Sequence, residues 1–479
     1  MSRVRVFFEQ RLVGMVDVDK NGPGFTYDRD WISLKGAFPV STTMPLTAKR
    51  VGPDTFFPWA ANLLPENEQL RTLGQLLGMA REDVIGLLSA IGGDTAGALS
   101  IGQPGRTGSV QWRPIAKPED LESIIEELPN KPFLVGDDGV SMSLAGAQTK
   151  LAVALDEAGR VCIPMNGSPS THILKPDTQR LFGGVQNEAF CLTLTRRVGI
   201  PTPTVSTGRA GKRTYLLVKR YDRTDIGGRW RRLHQEDYCQ ALGKPPSAKY
   251  ESNQTGVRGP TLKDMFEVTR RHMPPTEIVR LLDMVVVNVL VCNTDAHAKN
   301  YSIMIRASAP SLAPMYDVMC GEVWENVTKN HAQKIAGEGR GGQLTGRHWQ
   351  RFARDCGLNP KQVIDRVGAM ARSVIAEAEA SESEVAAMPA GGHPILSKTR
   401  QAVEIRARAI LAQLREVEGA PVAAADDNDC SGRAEEDAEV APWSLGVPTA
   451  PANVRSRTKS GRHLLAVRSS QFDPQRTSA

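Results

Sequence analysis

The sequence predicts an α+β protein, and three observations carry that expectation. Apolar and polar residues alternate over residues 3–18, as in a half-buried strand pair. From about Trp59 the apolar period becomes that of a helix. Beyond residue 260 most segments read as helix, including the apolar run 284–292, which carries Asn288 and is expected to be a buried core helix.

At 479 residues the chain has room for two or three domains. Hydrophobic content of 41% and charged content of 23% are those of an ordinary soluble globular protein. A net charge of +6 permits an anionic partner such as ATP, nucleic acid or an acidic protein face without requiring one. Seven cysteines occur at irregular spacings with no C-x-x-C pair, so neither a disulfide framework nor a zinc site is indicated. Reduced thiols of a cytoplasm fit best. The N-terminus lacks the apolar stretch of a signal peptide, and no segment approaches the roughly 18 apolar residues of a spanning helix, so no membrane partner is expected.

In order along the chain, Val4, Val6 and Phe8 lie on a first strand, residues 12–18 pair back, and residues 25–31 add a third strand. Leu63, Leu70, Leu73, Leu76 and Leu77 recur at helical spacing, with Pro65 at the helix start. A helix over 81–91 ends at Gly92–Gly93. These elements form a small α+β unit, residues 1–108, closed by a Gly/Pro linker and holding no catalytic constellation. The second unit, 109–417, opens with a helix over 118–128 whose acidic first turn suits the helix dipole.

Several stretches of that unit invite a chemical reading. Residues 141–150, S-M-S-L-A-G-A-Q-T-K, place small residues between two strands, which lets backbone N–H groups approach phosphates. The G-x-x-x-x-G-K-[ST] spacing is missing, and an ordinary β-turn is the alternative reading. Lys175 lies in the otherwise apolar strand 171–176, where a phosphate or carboxylate would explain it. Glu188, opening the helix 189–198, is the candidate brace. A snorkelling edge-strand lysine and a dipole-favoured glutamate are the alternative. The strand 215–220 runs into Lys219, Arg220 and Tyr221, candidates for a hinge whose backbone meets adenine; such basic clusters also occur as solvated surface. Residues 232–239 enter a helix, and 266–271 and 276–290 are helices. His234 has no second His or Cys at ligand spacing and reads as structural.

The chain is organised around N-T-D-A-H-A-K-N from Asn293, followed by Tyr316–Asp317–Val318 after a short strand and turn. Phosphoryl transfer from ATP to a hydroxyl needs a carboxylate that orients the acceptor and takes its proton, plus a carboxamide and a second carboxylate that hold Mg²⁺. Protein kinases place the first two as D-x-x-x-x-N and the third on a nearby turn. Asp295, Asn300 and Asp317 fit that pattern. D-x-x-x-x-N alone also marks capped turns. His297, inside the octamer, is read as shaping the loop rather than binding zinc. Beyond Asp317 the chain turns helical through 349–356, 360–379 and 399–417. Residues 421–440 then hold seven Asp/Glu and one Arg, and 451–479 hold six Lys/Arg and one Asp. With few apolar residues, 418–479 is expected to be a disordered tail.

Taken together, these stretches resemble the HipA family of bacterial serine/threonine kinase toxins. The matching pieces are S-L-A-G-A-Q-T-K-L-A from Ser143, T-H-I-L-K-P from Thr171, N-E-A-F-C from Asn187 and R-L-H-Q-E-D-Y-C-Q-A-L-G from Arg232. N-T-D-A-H-A-K-N-Y-S from Asn293 and L-A-P-M-Y-D-V from Leu312 complete the set, and F-F-P-W-A-A-N-L-L-P-E-N from Phe56 resembles the family's N-terminal subdomain. The resemblance covers roughly residues 3–415 and rests on motif order. It implies a bilobal protein-kinase-like α+β fold related to lipid and cyclin-dependent kinases, with the N-lobe to about residue 222 and a largely helical C-lobe. An N-terminal α+β subdomain packs on it.

By the same resemblance Asp295 is the catalytic base, Asn300 and Asp317 hold Mg²⁺, and Lys175, braced by Glu188, contacts ATP phosphates. Ser143, Ala145, Gly146, Ala147, Gln148 and Lys150 form the phosphate loop. Lys219, Arg220, Tyr221, His297, Lys299 and Tyr316 complete the expected ATP site. Ser143 corresponds to the serine at which family members autophosphorylate and switch off; a phosphate adds up to two negative charges that would repel ATP. The implied partners are a HipB-like helix-turn-helix antitoxin, operator DNA reached through it, and a protein substrate of the aminoacyl-tRNA synthetase class, in a bacterial cytoplasm. A small-molecule phosphotransferase shares the D-x-x-x-x-N logic but gives no reason for the A-G-A-Q-T-K loop. A degenerate kinase fold kept as a DNA-binding partner is the non-enzymatic rival.

Overall fold

The computed structural model describes residues 2–418. The expected tail and Cys430 lie outside the described residues; the other six cysteines are free thiols, all buried. The first unit begins with β1 (Ser2–Phe8), β2 (Arg11–Asp19) and β3 (Gly22–Tyr27), which join β4 (Leu99–Ile101) in a sheet of order β3-β2-β1-β4. The third strand stops at Tyr27 rather than running to Trp31. Asp28 accepts a hydrogen bond from the Asp30 amide and caps α1 (Arg29–Ser33), which turns Trp31 into the core.

Two helices, α2 (Pro53–Ala61) and α3 (Asn67–Leu77), stand where one apolar period was read. Pro65 lies in the turn between them, not at a helix start. Next, α4 (Val84–Ile91) begins three residues later than its pattern suggested, because Asp83 accepts from the Gly86 amide and fixes the cap there.

The N-lobe is an antiparallel sheet built from β5 (Trp112–Pro114), β6 (Leu151–Leu155), β7 (Val161–Pro164), β8 (His172–Pro176), β9 (Val205–Ala210) and β10 (Arg213–Lys219). Its order is β5-β7-β6-β8-β10-β9. Lys175 therefore lies on an interior strand, which removes the edge-strand reading. The helix α5 (Pro118–Glu127) precedes the small-residue loop, and that loop is followed by β6 but not preceded by a strand. The brace helix α6 (Gly184–Arg197) starts earlier than expected, so Glu188 sits in its second turn, fully inside.

Residues 232–239 are mostly extended. The hairpin β11 (Arg223–Ile226) and β12 (Arg229–Arg232) leads to β13 (Gln235–Asp237), and only then to the short α7 (Tyr238–Ala241). The C-lobe follows with α8 (Leu262–His272) and α9 (Pro275–Leu290). Residues 281–290 of α9 are all buried, so the helix runs through the core and delivers its C-terminus to the loop from Asn293 to Asn300. The strands β14 (Ser302–Met304) and β15 (Ser311–Leu312) pair beyond that loop.

A hairpin, β16 (Asn330–Ile335) and β17 (Glu338–Arg340), was not anticipated. Its turn places Ala336 at φ 51°, a conformation alanine disfavours, so the sequence lacks the usual Asn-Gly signal. Three helices close the fold: α10 (Gly346–Asp355), α11 (Pro360–Ala386) and α12 (Ile395–Glu418). One apolar core runs from Phe25, Phe56 and Trp59 through α9 to Trp349 and α11, and a second fills the space under β6 and α5. No helix among the described residues is long and apolar enough to cross a membrane.

The first unit is locked to the rest by buried charge. Asp94, following α4, ion-pairs with Arg223 at 2.8 Å and Arg232 at 3.2 Å, and Ser170 donates to it at 2.6 Å. Arg220 is bound in turn to Asp222 at 2.7 Å. Burial works against the Asp94 charge, but the three guanidinium groups around it hold its carboxyl far below the usual range. Removing one partner of such a cluster strands the others, at a cost of about 3–5 kcal/mol. Asp94→Ala is therefore expected to lower the denaturant midpoint sharply at neutral pH. Because the carboxyl is depressed in the fold, its contribution is whole above about pH 4 and fades on acidification. Unfolding curves of parent and variant should converge as the pH falls below that value.

Candidate active site

A cleft of about 580 Å³ lies where the two lobes and the first unit meet. Its upper wall is the N-lobe sheet, with Lys175 on β8. Strand alternation points this side chain inward, and only 7% of the residue is exposed. Its ammonium sits 2.6 Å from Glu188 Oε1 and 2.6 Å from Asp317 Oδ1. Burial disfavours the ammonium, yet the two carboxylates outweigh it and hold Lys175 above the ordinary lysine value. Burial equally disfavours the Asp317 charge, and Lys175 with Lys150 holds that carboxyl well below its ordinary value. Asp317 adopts φ 58°, a left-handed conformation that aspartate tolerates better than most residues. The brace and the third acidic point of the sequence pattern thus meet at one cation.

The floor of the cleft is the loop from Asn293 to Asn300. Its backbone is fixed from several directions. The Asn293 carboxamide donates to Asn288 Oδ1 at 2.8 Å, tying the loop to α9. Asn300 Nδ2 donates to the Asp295 carbonyl at 2.8 Å, which leaves the Asn300 Oδ1 end of the carboxamide as the oxygen donor. The Tyr316 hydroxyl donates to the Lys299 carbonyl at 2.7 Å. The unforeseen hairpin also braces the loop, since the Ala332 amide donates to the Thr294 carbonyl at 3.0 Å. Asp295 is the one exposed residue of the octamer and faces the cleft. The surrounding walls still desolvate its carboxyl and lift it above the ordinary aspartate value, against a hydrogen bond from Tyr250 at 2.6 Å. His297 is buried, and desolvation pushes it well below the usual histidine range.

The first unit forms the third wall, which sequence reasoning did not assign. Asn62, Leu63, Glu66 and Asn67 line the cleft. Lys299 donates to Asn62 Oδ1 at 2.7 Å and to Asp237 at 3.2 Å, so its ammonium is committed to anchoring that wall. Lys249 pairs with Glu66 at 2.6 Å. The small-residue loop is gripped from the same side. The Glu66 amide donates to the Gly146 carbonyl at 3.1 Å and Gln69 donates to the Ala147 carbonyl at 2.9 Å. Gly146 holds φ 104°, which requires glycine. The Lys150 ammonium donates to the Ala145 carbonyl and curls the loop back on itself. Burial pushes Lys150 down to about 8. The signal for this wall was in the stretch from Phe56, whose Asn62, Glu66 and Asn67 are the polar residues that reach the cleft.

Two expected site residues are placed differently. Ser143 does not line the cleft: it is fully buried, and its hydroxyl donates to the Leu63 carbonyl at 2.8 Å while its amide donates to the Asp94 carbonyl at 3.0 Å. The first unit covers it, a contact invisible in local sequence. Arg220 borders the cleft, but its guanidinium is drawn into the Asp222–Asp94 cluster and its amide donates to the Thr171 carbonyl at 2.9 Å. It is thus a buried, committed residue, neither a solvated one nor a free hinge donor. Lys219 is exposed at the rim. Tyr221 stacks on Tyr316 with ring centroids 5.5 Å apart, and both border the cleft. Ala145, Gly146, Ala147, Gln148 and Lys150 line the cleft as expected. His234 is structural: its Nε2 lies 2.8 Å from the Val40 carbonyl.

A two-lobed fold with a braced lysine and a D-x-x-x-x-N loop is that of the protein-kinase class. Models of the HipA N-terminal domain and the HipA-like C-terminal domain match residues 4–102 and 142–378. Putative kinase Y4mE of Sinorhizobium fredii is 35% identical over 377 residues, 76% of this chain and 88% of that protein. The serine/threonine-protein kinase toxin HipA of Shewanella oneidensis is 30% identical over 377 residues, 76% of this chain and 85% of that protein. A solved complex of Shewanella oneidensis HipA with HipB and operator DNA superposes with a TM-score of 0.77 at 27% identity, covering 88% of this chain and 100% of that one. The chain belongs to the HipA family of kinase-fold enzymes.

The buried Ser143 contact has a measurable consequence. Ser143→Ala leaves the Leu63 carbonyl without its partner and should cost about 1–3 kcal/mol. Ser143→Asp buries an unpaired carboxylate and should cost more, releasing the loop. Limited proteolysis within residues 141–150 is expected to follow the order parent, Ser143→Ala, Ser143→Asp, from slowest to fastest.

Proposed function

We propose that this chain is an ATP- and Mg²⁺-dependent serine/threonine protein kinase toxin of a HipA/HipB-type module. The observation that carries the reading is the double ion pair of Lys175, 2.6 Å from both Glu188 and Asp317, in one cleft with Asp295. Kinases use such a lysine on the nucleotide phosphates and brace it with a helical glutamate. In this reading the Gly146 loop and Lys150 cradle the phosphates, and Tyr221 and Tyr316 border the base. Asp295 accepts the proton of the acceptor hydroxyl, a task for which its place on the cleft suits it.

Mg²⁺ fits the donors. Among the described residues no cluster of three or more His, Cys, Asp or Glu side chains offers a metal cage. Mg²⁺ instead takes one or two protein oxygens and completes its shell with water and substrate phosphates. Asn300, oriented through its amide on the Asp295 carbonyl, and the charged Asp317 supply hard oxygen donors of that kind. Bound there, the ion would neutralise charge developing on the phosphates. Lys175 moves its attention from Asp317 to the phosphates when nucleotide enters.

The partner reading follows the solved relative, which carries HipB and operator DNA. A HipB-like helix-turn-helix antitoxin is the proposed partner here, with DNA reached mainly through it. The proposed acceptor is a protein serine or threonine, with an aminoacyl-tRNA synthetase as the class the family resemblance implies. Autophosphorylation of Ser143 is the proposed off-switch. It demands that residues 141–150 first leave the cover of the first unit, because Ser143 faces Leu63 and not Asp295. The domain limits 1–108 and 109–417 are proposed on the same footing, with the first unit acting as a wall of the cleft.

Intact mass and ADP release after incubation with Mg²⁺ and ATP test the assignment. Asp295→Asn is expected to lose at least about 100-fold in turnover while binding ATP. Lys175→Met is expected to weaken ATP binding as well. Equal turnover in Asp295→Asn and parent would sink the kinase reading.

A further inference from the structure

One hydroxyl already sits on the proposed base. Tyr250 donates its phenolic hydrogen to Asp295 Oδ1 at 2.6 Å. That distance is the reach a general base needs for the proton it removes. Under the reading above, it is also the bond an acceptor serine or threonine must make to Asp295. The segment carrying Tyr250 is pinned. The Ala298 amide donates to the Lys249 carbonyl at 3.2 Å, and the Glu251 amide donates to the Ala332 carbonyl at 3.1 Å. The ring packs edge-on against His297, centroids 5.1 Å apart at 87°. The phenol is half-buried at the cleft wall, and the adjoining residues 254–258 are exposed. With its backbone fixed on both sides, the phenol leaves Asp295 by turning its side chain.

We propose that Tyr250 is a specificity-determining residue of the acceptor site: its phenol holds the Asp295 carboxylate until an acceptor hydroxyl carried by a protein displaces it. The consequence is that water is excluded as acceptor. A protein acceptor brings contacts around its hydroxyl that can be spent on displacing the phenol. A lone water offers one hydrogen bond in exchange for the one it breaks, and gains nothing. In the excluded reaction a water oxygen bonds to the γ-phosphorus and the bond from that phosphorus to the β,γ-bridging oxygen breaks. ADP departs, and the water proton passes to Asp295, giving ADP and inorganic phosphate. The inference rests on the kinase reading. It assigns Tyr250 a role that ring packing alone would not give.

The test is multiple-turnover ADP release from Mg²⁺ and ATP, without any protein acceptor, for the full chain and for Tyr250→Phe, which keeps the ring and removes only the hydroxyl. Tyr250→Leu and the double variant Tyr250→Phe/Asp295→Asn are run alongside, with the KM for ATP. Both single variants should release ADP roughly threefold faster or more, with KM within about twofold of the parent. The gain should vanish in the double variant. An unchanged or slower rate in Tyr250→Phe, with the parent turning over, overturns the gate and leaves the kinase assignment standing. ATP bound without turnover in parent and variants alike overturns the gate, because removing the phenol then opens no path to water; the kinase reading is judged separately, by phosphate gain in the parent against Asp295→Asn.

Discussion

The site depends on a lysine buried between two carboxylates. Taking three charges out of water costs several kcal/mol for each ion, and only short, well-directed contacts recover it. Lys175 makes both of its contacts at 2.6 Å. They draw together three elements: an interior strand, the second turn of α6, and the left-handed turn at Asp317, the last two also tied by Asn187 and the Cys320 backbone. Any shift between lobes would strand one of these charges. The pairing therefore sets lobe geometry, and lobe geometry sets where Asp295 stands relative to residues 143–150.

A second constraint comes from the first unit, which is more than an appendage. Asp94 anchors it to Arg220, Arg223 and Arg232 at the junction of the lobes. Leu63 accepts from the Ser143 hydroxyl, Glu66 and Gln69 hold the Gly146 and Ala147 carbonyls, and Asn62 and Glu66 engage Lys299 and Lys249. The shape of the loop at residues 143–150 is thus imposed from outside the kinase lobes. Buried polar contacts of this kind add little net stability, but breaking one leaves an uncompensated group, so they enforce a single arrangement. In the solved HipA–HipB–DNA relative the same family fold is seen with its partners present.

Three N-lobe strands (β6, β8 and β10), the long apolar helix and the motif order were legible because each rests on local chemistry, whereas β5, β7 and β9 were not read. Periodicity marks strands and helices, and short motifs mark the loop from Asn293. Element boundaries were less legible. Asp83 and Asp28 start helices at N-caps that apolar periodicity does not register. The β16–β17 hairpin was missed because its turn uses Ala336 at positive φ. Arg220 was read among basic residues at a strand end, and its burial came from Asp94, 126 positions away by subtraction of 94 from 220.

By itself the sequence determined the family and the two-lobed class, because six short motifs stand in order along the chain, and it offered Lys175, Glu188, Asp295, Asn300 and Asp317 as candidates that each motif alone leaves open. Tertiary structure decided which groups are spoken for. Ser143 turned out to face Leu63, Lys299 to anchor Asn62, and Tyr250 to sit on Asp295. Each of these facts pairs residues from distant parts of the chain. Hydrogen bonds and desolvation act through space, over a few ångströms, and sequence spacing carries no record of which distant groups folding will bring within that range.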